Sequence, residues 1–377
     1  MTYDFLIVGA GIFGCTMANI LANKGKSVLI IDKNIHIGGA CYDYESNGIN
    51  IHKYGAHIFH TSKEDVWEYI NQFTSFNNFI NSPIAIYKNE TYNLPFNMNT
   101  FSKMWNIKQP EEAKKIINKQ ILNAKIGTPK NLEEQAIKLV GKDIYEKLIK
   151  EYTEKQWGCS CDKLSSEIIK RIPVRFTYDN NYFNDKHQGI PENGYTPMLS
   201  KMINHKNIKI ILDCSLDNFT KKYKNINYDK MIYTGSIDEL CNFCLNKKLK
   251  YRSVIFKNII LQTSNFQGNA VINYTSSEVP YTRTIEHKFF ETGKKLESNL
   301  LKPYTVVSYE YPVEDGPKYY PINDESNTKI YNEYLEILKS NYENKIYIGG
   351  RMGSYKYINM DEAINQAFKL SEIILDE

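Results

Sequence analysis

The chain has 377 residues, enough for two or three domains built on separate cores with a buried site between them. Its 47 basic and 43 acidic residues nearly cancel to +4, which argues against a general nucleic-acid or membrane surface, so any anion site has to be built from particular side chains. The first apolar run begins almost at once with no basic leader, and no stretch of about 18 uninterrupted apolar residues follows. A soluble protein of a reducing cytoplasm is expected.

In chain order, residues 3–39 predict a nucleotide-binding unit. The apolar strand Phe5-Leu6-Ile7-Val8 runs into Gly9-Ala10-Gly11-Ile12-Phe13-Gly14, then a helix, then a second strand ending at Asp32. Gly9 permits the tight turn, Gly11 lets backbone approach a diphosphate, and Gly14 lets helix and strand pack closely. Asp32 stands at the spacing of a carboxylate that accepts from ribose hydroxyls. Lys33 and the stretch up to Gly38-Gly39 follow directly, and a paired glycine there brings a second backbone segment to the same diphosphate. That doubled contact points to FAD rather than nicotinamide.

Further on, Ser62-Lys-Glu-Asp65 predicts a capped helix through Trp67, Ile70 and Phe73. From Pro110 to about Gln156 the pattern is helical, with Asn131 and Glu134 as a cap and Ile137, Val140, Ile144, Leu148 and Tyr152 at three- or four-residue steps. Residues 166–192 and 245–320 carry β-rich runs, among them Val271-Ile-Asn-Tyr and Tyr304 to Tyr311, as for an antiparallel sheet. The chain then returns to the nucleotide fold through Lys345-Ile-Tyr-Ile-Gly349-Gly350-Arg351 and a helix from about Asp361.

Seven cysteines, an odd number, suit free thiols. Cys159 and Cys161 with Cys241 and Cys244 could imitate a four-thiolate zinc site, but Cys241 and Cys244 lie in an apolar helical pattern and are expected to pack in a core; no metal is expected. Three clusters look chemical instead. They are Tyr54-Gly-Ala-His57-Ile-Phe-His60, then Tyr152-Thr-Glu-Lys-Gln-Trp157-Gly, and a scatter of arginine and tyrosine: Arg171, Arg175, Tyr182, Arg252, Arg283, Tyr319, Tyr320, Tyr355 and Tyr357. A second diphosphate, apart from that of FAD, needs such a set, because each guanidinium offers a planar fork to phosphate oxygens.

Together these motifs resemble the prokaryotic UDP-galactopyranose mutases along essentially the whole chain. The resemblance runs through GAGIFG, HKYGAHIFHT at 52–61, NLPFNMNTF at 93–101, NLEEQAIKLVG at 131–141, YTEKQWG at 152–158 and IIKRIPVRFTYDNNYF at 168–183. It continues in FQGNAVINY at 266–274, PYTRTIEHK at 280–288, YYPIND at 319–324 and GGRMGSYKY at 349–357. It implies an α/β protein: an FAD-binding Rossmann-like domain (1–73, 194–244 and 328–377), an inserted helical domain (97–165, with a mobile substrate loop toward 180) and a six-stranded antiparallel β-sheet domain (74–96, 166–193 and 245–327).

The activity implied is interconversion of UDP-galactopyranose and UDP-galactofuranose by covalent catalysis through N5 of reduced FAD, for galactofuranose-containing surface glycans, in a cytoplasmic homodimer without nucleic-acid partner or membrane insertion. By the same resemblance, Arg171 and Arg283 neutralise the UDP diphosphate, Tyr182, Tyr320 and Tyr357 bind phosphate, Trp157 flanks the sugar, and Tyr152 and Thr153 meet uridine. Asn273 and Arg252 join the substrate contacts, and His57 stands near the flavin. Gly9, Gly11, Phe13, Gly14, Asp32, Lys33, Gly39, Ala40, Arg351, Asn359 and Met360 make up the cofactor set with His57. Ala40 stands where the family has Asn, Asn359 where it commonly has Asp, and Lys186-His187 where it has Arg-Tyr, which bears on affinity and on the identity of the sugar. A mutase of another nucleotide-sugar (UDP-N-acetylgalactosamine or a 6-deoxy hexose), a flavin amine oxidase-like enzyme and a non-catalytic nucleotide-binding scaffold are the rival readings.

Overall fold

The computed structural model describes residues 1–170, 172–342 and 345–376. Its nucleotide-binding part is a five-stranded parallel sheet in the order Ile346–Ile348, Asn227–Tyr233, Thr2–Val8, Val28–Ile31, Ile208–Ile211. Val28–Ile31 is buried at all four positions, as a parallel strand covered on both faces has to be. The helices Ile12–Asn23, Tyr195–Ile203 and Met360–Asp376 pack on one face around Phe5, Ile7, Leu21 and Ile364. Helix Leu216–Lys222 brings Phe219 to a second core with Leu6, Leu29 and Met231 on the other face. Three distant stretches of chain therefore supply this one sheet.

The second sheet has seven strands in the order Lys318–Pro321, Tyr251–Leu261, Thr305–Val313, Arg283–Glu286, Val271–Tyr274, Ile84–Tyr87, Glu90–Asn93. It departs from the expected six antiparallel strands in both number and direction, since Val271–Tyr274 pairs parallel to Ile84–Tyr87. The described residues of 166–193 add no strand to it. Their one strand, His187–Gly189, pairs instead with Phe59–Thr61 beside the nucleotide-binding part, because polar Asn and Asp residues between Thr177 and Asp185 leave too few apolar positions for a buried ladder.

A helical layer packs against the seven-stranded sheet at Ala85 and Tyr92: Met98–Trp105, Pro110–Ala124, Leu132–Val140 and Glu151–Trp157, gathered on Phe101, Ile117, Val140, Ile144 and Leu148. Its starts are fixed locally. Pro110 occupies the first turn of its helix, and Asn131 accepts from the Glu134 amide at 2.9 Å. The apolar spacing from Ile137 to Tyr152 reads as one helix, but Gly141 at φ +81° interrupts it and the chain restarts on the same core.

Two local expectations fail. Ser62 is no cap: its hydroxyl donates to Asp185 at 2.9 Å, and the helix begins only at Glu64. The Cys241–Cys244 stretch is not a core helix, because Ile237–Leu240 ends after one turn and Asn242 and Phe243 take left-handed conformations. Cys241 is thereby left half-buried and Cys244 exposed.

Candidate active site

At the first sheet's crossover, the glycines build a cradle. Gly9 lies at φ +114°, and a Cβ on it would fall 1.9 Å from Thr234 Oγ1; one on Gly14 would fall 2.0 Å from the Gly9 carbonyl. Gly11 differs, since a Cβ there would find only Gly39 Cα, at 4.0 Å. The space above Gly11 is open, and it faces the start of helix Ile12–Asn23, whose first amides have no side-chain cap.

Gly38 donates to the Ala10 carbonyl at 2.8 Å, which lays the Gly38-Gly39 backbone alongside the Gly9–Gly14 turn. Phe13 packs against Gly349, where any side chain would collide with its ring. Asp32 accepts at Oδ2 from the Ala10 amide at 2.7 Å and at Oδ1 from the Asn34 amide at 2.8 Å and side chain at 2.9 Å, so it braces the turn and retains one lone pair, on Oδ2, for a further donor. Lys33 and Ala40 are exposed beside it. Two glycine backbones, an uncapped helix start and a buried carboxylate fit a dinucleotide.

A cavity of about 380 Å³ opens where this part meets the helical layer and the seven-stranded sheet. The loop after Tyr54 contributes His57; helix Glu151–Trp157 contributes Tyr152, Thr153 and Trp157; and Tyr182 faces them. The sheet supplies Asn273, Arg283 and Tyr320, and the C-terminal return supplies Arg351, Tyr357, Asn359 and Met360. Arg171 lies outside the described residues. Arg252 does not line the cavity; it is buried behind it, where its Nε donates at 3.0 Å to the Gln156 carbonyl near the end of the Glu151–Trp157 helix. Arg175 braces its own loop through the Phe183 carbonyl at 3.0 Å, Tyr355 is buried with its hydroxyl on Lys250 and Ile322 carbonyls, and Tyr319 lines a second, separate cavity.

Charge in the cavity is arranged by a carboxylate, Glu310, that carries no site role in the sequence motifs, together with Tyr152. Glu310, 2% exposed, stands 3.6 Å from Arg283 Nε, and the Tyr152 hydroxyl accepts from the same nitrogen at 3.1 Å. Burial works against the guanidinium charge, but Glu310 and the surrounding tyrosines outweigh it and hold Arg283 firmly protonated. Arg351 donates to the Ile358 carbonyl and lies over the Tyr320 and Tyr357 rings, at 5.8 and 5.1 Å. Asn273 Oδ1 and Gln156 Oε1 are buried acceptors with no partner among the described residues, and both residues line the cavity, which suits them to donors of a bound molecule.

His57 is neutral. Burial, chiefly, drives its pKa down to about 3, and Nδ1 lies 2.9 Å from the Gly55 carbonyl, so Nδ1 carries the proton and Nε2 keeps a lone pair. Its amide donates to His52 Nδ1 at 3.3 Å, and the His52 amide donates in turn to His287 Nδ1 at 3.2 Å. Two more neutral imidazoles thus back the loop. His60, the second imidazole of the Tyr54–His60 motif, also lines the cavity and meets Asp185 at 2.7 Å. Glu310 was legible in principle as a lone carboxylate inside the apolar run Tyr304 to Tyr311, whereas Asp185 carries no such signal.

Comparison with known proteins adds the following. The profile of the UDP-galactopyranose mutase family matches residues 147–357, and that of an NAD(P)-binding Rossmann-like domain matches residues 7–73. A dTDP-fucopyranose mutase of Escherichia coli is 36% identical over 98% of both chains. A probable UDP-galactopyranose mutase of Klebsiella pneumoniae is 37% identical over 99% of this chain and 94% of its own, and a UDP-galactopyranose mutase of Mycoplasma pneumoniae is 31% identical over 99% and 96%. Among solved structures, a reduced UDP-galactopyranose mutase superposes with a TM-score of 0.75 over the whole chain and 94% of its own, at 16% identity.

Proposed function

The chain belongs to the UDP-galactopyranose mutase family, and from that premise we propose that it interconverts UDP-galactopyranose and UDP-galactofuranose, with Arg283 as the principal described cation for the diphosphate. It is an isomerase and a flavoprotein; the same atoms stand on both sides of its reaction, and no net oxidation occurs. The observation that carries the assignment of the site is a half-buried guanidinium, held by the buried Glu310 carboxylate and the Tyr152 hydroxyl, that lines a cavity beside an FAD cradle.

The side chains have separable tasks. As the bond from the anomeric carbon to the nucleotide breaks, negative charge grows on the diphosphate, and a cation held in place beforehand stabilises that charge without reorganising. Glu310 and Tyr152 both grip Arg283 at Nε, leaving its two terminal nitrogens for phosphate oxygens. Tyr182, Tyr320 and Tyr357 add hydroxyls around the same space, and Arg171 joins the set by family resemblance. Reduced FAD, when bound, supplies a nucleophilic nitrogen at N5. Gly9, Gly11, Gly14, Gly38 and Gly39 hold its diphosphate, while neutral His57 presents an acceptor and no competing positive charge. By family resemblance, a cytoplasmic location and a homodimer complete the reading; no described helix is long and apolar enough to cross a membrane.

A second reading is favoured by one finding: the fucopyranose mutase relative is as similar to the chain as the galactopyranose mutases are. A 6-deoxy sugar on a dTDP carrier therefore competes for the assignment, and discrimination would rest on polar partners for O6 and for the 2′-hydroxyl. Dithionite-reduced protein offered both furanose substrates in parallel decides it. A higher kcat/KM for UDP-galactofuranose upholds the first reading; a higher value for the dTDP-6-deoxy sugar replaces it with the second.

A further inference from the structure

The sequence YTEKQWG places four residues on the cavity and leaves Lys155 with no role in it. The Lys155 ammonium is turned away from the cavity into the connection between strands Val271–Tyr274 and Arg283–Glu286. There it donates to four main-chain carbonyls: Tyr274 at 2.8 Å, Ser276 at 2.7 Å, Val279 at 3.2 Å and Tyr281 at 3.1 Å. One turn earlier on the same helix, the Glu151 carboxylate accepts from the Ser277 amide in the same connection. Residues four apart share a helix face, so one face of Glu151–Trp157 rivets this turn while the next presents Tyr152 and Gln156 to the cavity.

The strands that enter and leave the turn carry Asn273 and Arg283. An ammonium even partly withdrawn from water is costly unless its donors are met, and here three N–H groups meet four carbonyls. Such an ion holds its cage closed from several directions at once, which a single neutral hydrogen bond cannot do.

We propose that Lys155 is a positioning residue that locks the nucleotide-facing helix to the Asn273–Arg283 hairpin and so sets the Tyr152–Arg283 contact on which diphosphate binding depends. This rests on the mutase reading of the cavity, so UDP binding to the FAD-loaded wild-type protein is measured first. Wild-type protein that does not bind UDP removes that reading and the proposal with it.

Given wild-type binding, Lys155→Met is expected to retain its FAD, whose glycine cradle lies elsewhere, and to raise the UDP dissociation constant at least tenfold, with KM for the nucleotide sugar moving more than kcat. In that background Tyr152→Phe is expected to cost little further, although it weakens UDP binding in wild type. Lys155→Ala supplied with ethylammonium is expected to recover part of the lost affinity, which a merely structural loss would not. Should Lys155→Met fail to fold, Glu151→Ala removes the companion rivet and is expected to raise the dissociation constant about threefold. UDP affinity unchanged in these variants, or fully additive effects of Tyr152→Phe and Lys155→Met, would overturn the proposal.

Discussion

Arg283 shows how a single side chain acquires its function from its neighbours. Its type and its PYTR setting mark it as an anion ligand in the sequence, but that it pairs with Glu310, 27 residues further on, follows only once the strands Arg283–Glu286 and Thr305–Val313 are set in register. Arg283→Ala is expected to retain FAD while exchange between furanose and pyranose drops by about 10²-fold or more, the scale on which a preorganised transition-state contact acts; exchange within threefold of wild type would remove Arg283 from its role. The histidines give a second test. His57 and His52 have folded-state pKa values lowered by burial to about 3 and about 4, below the ordinary 6.5, so between those values the unfolded chain holds the extra protons. Their contribution is fully present above pH 6.5 and is lost as pH falls. The melting temperature is expected to fall steadily from pH 6.5 toward pH 4, and His52→Phe to flatten that slope; a pH-independent midpoint would contradict the assignment of neutral rings.

Elements were legible where local chemistry decides them and obscure where tertiary contacts do. Pro110, the Asn131 cap and the turn at Gly9 to Gly14 each act within a few residues, and the sequence shows them. Gly141 breaks a helix that periodicity alone would continue, and the polar stretch after Thr177 ends a β pattern whose partner strand never forms. Asn97 belongs to the obscure class. Its side chain accepts from the Asn99 amide at 2.9 Å and donates to the Asp179 carbonyl at 2.7 Å, capping one helix while tethering a distant loop. Asn97→Ala is therefore expected to cost about 2 kcal/mol or more, above an ordinary cap, in a denaturant titration. Gly11 tests the cradle: a side chain there meets no protein atom closer than 4.0 Å. Gly11→Val is expected to fold with an unchanged far-ultraviolet spectrum and to purify without yellow colour; a yellow Gly11→Val protein would place the cofactor diphosphate elsewhere.

At the scale of the molecule, the sheet that holds the cofactor closes only when the last segment, Ile346–Ile348 and its following helix, returns to strands laid down at residues 2–31 and 227–233. That return carries Arg351, Asn359 and Met360 to the cavity, so the two binding functions are completed by one late event in the chain. The most direct test of this shared crevice is chromatographic conversion of UDP-galactofuranose to UDP-galactopyranose by the FAD-loaded protein, with and without dithionite. Rapid conversion by the reduced protein, and little by the oxidised one, is the result the account predicts. Reduced, FAD-replete protein that binds UDP and yet converts neither UDP-galactofuranose nor its dTDP-6-deoxy counterpart would contradict it.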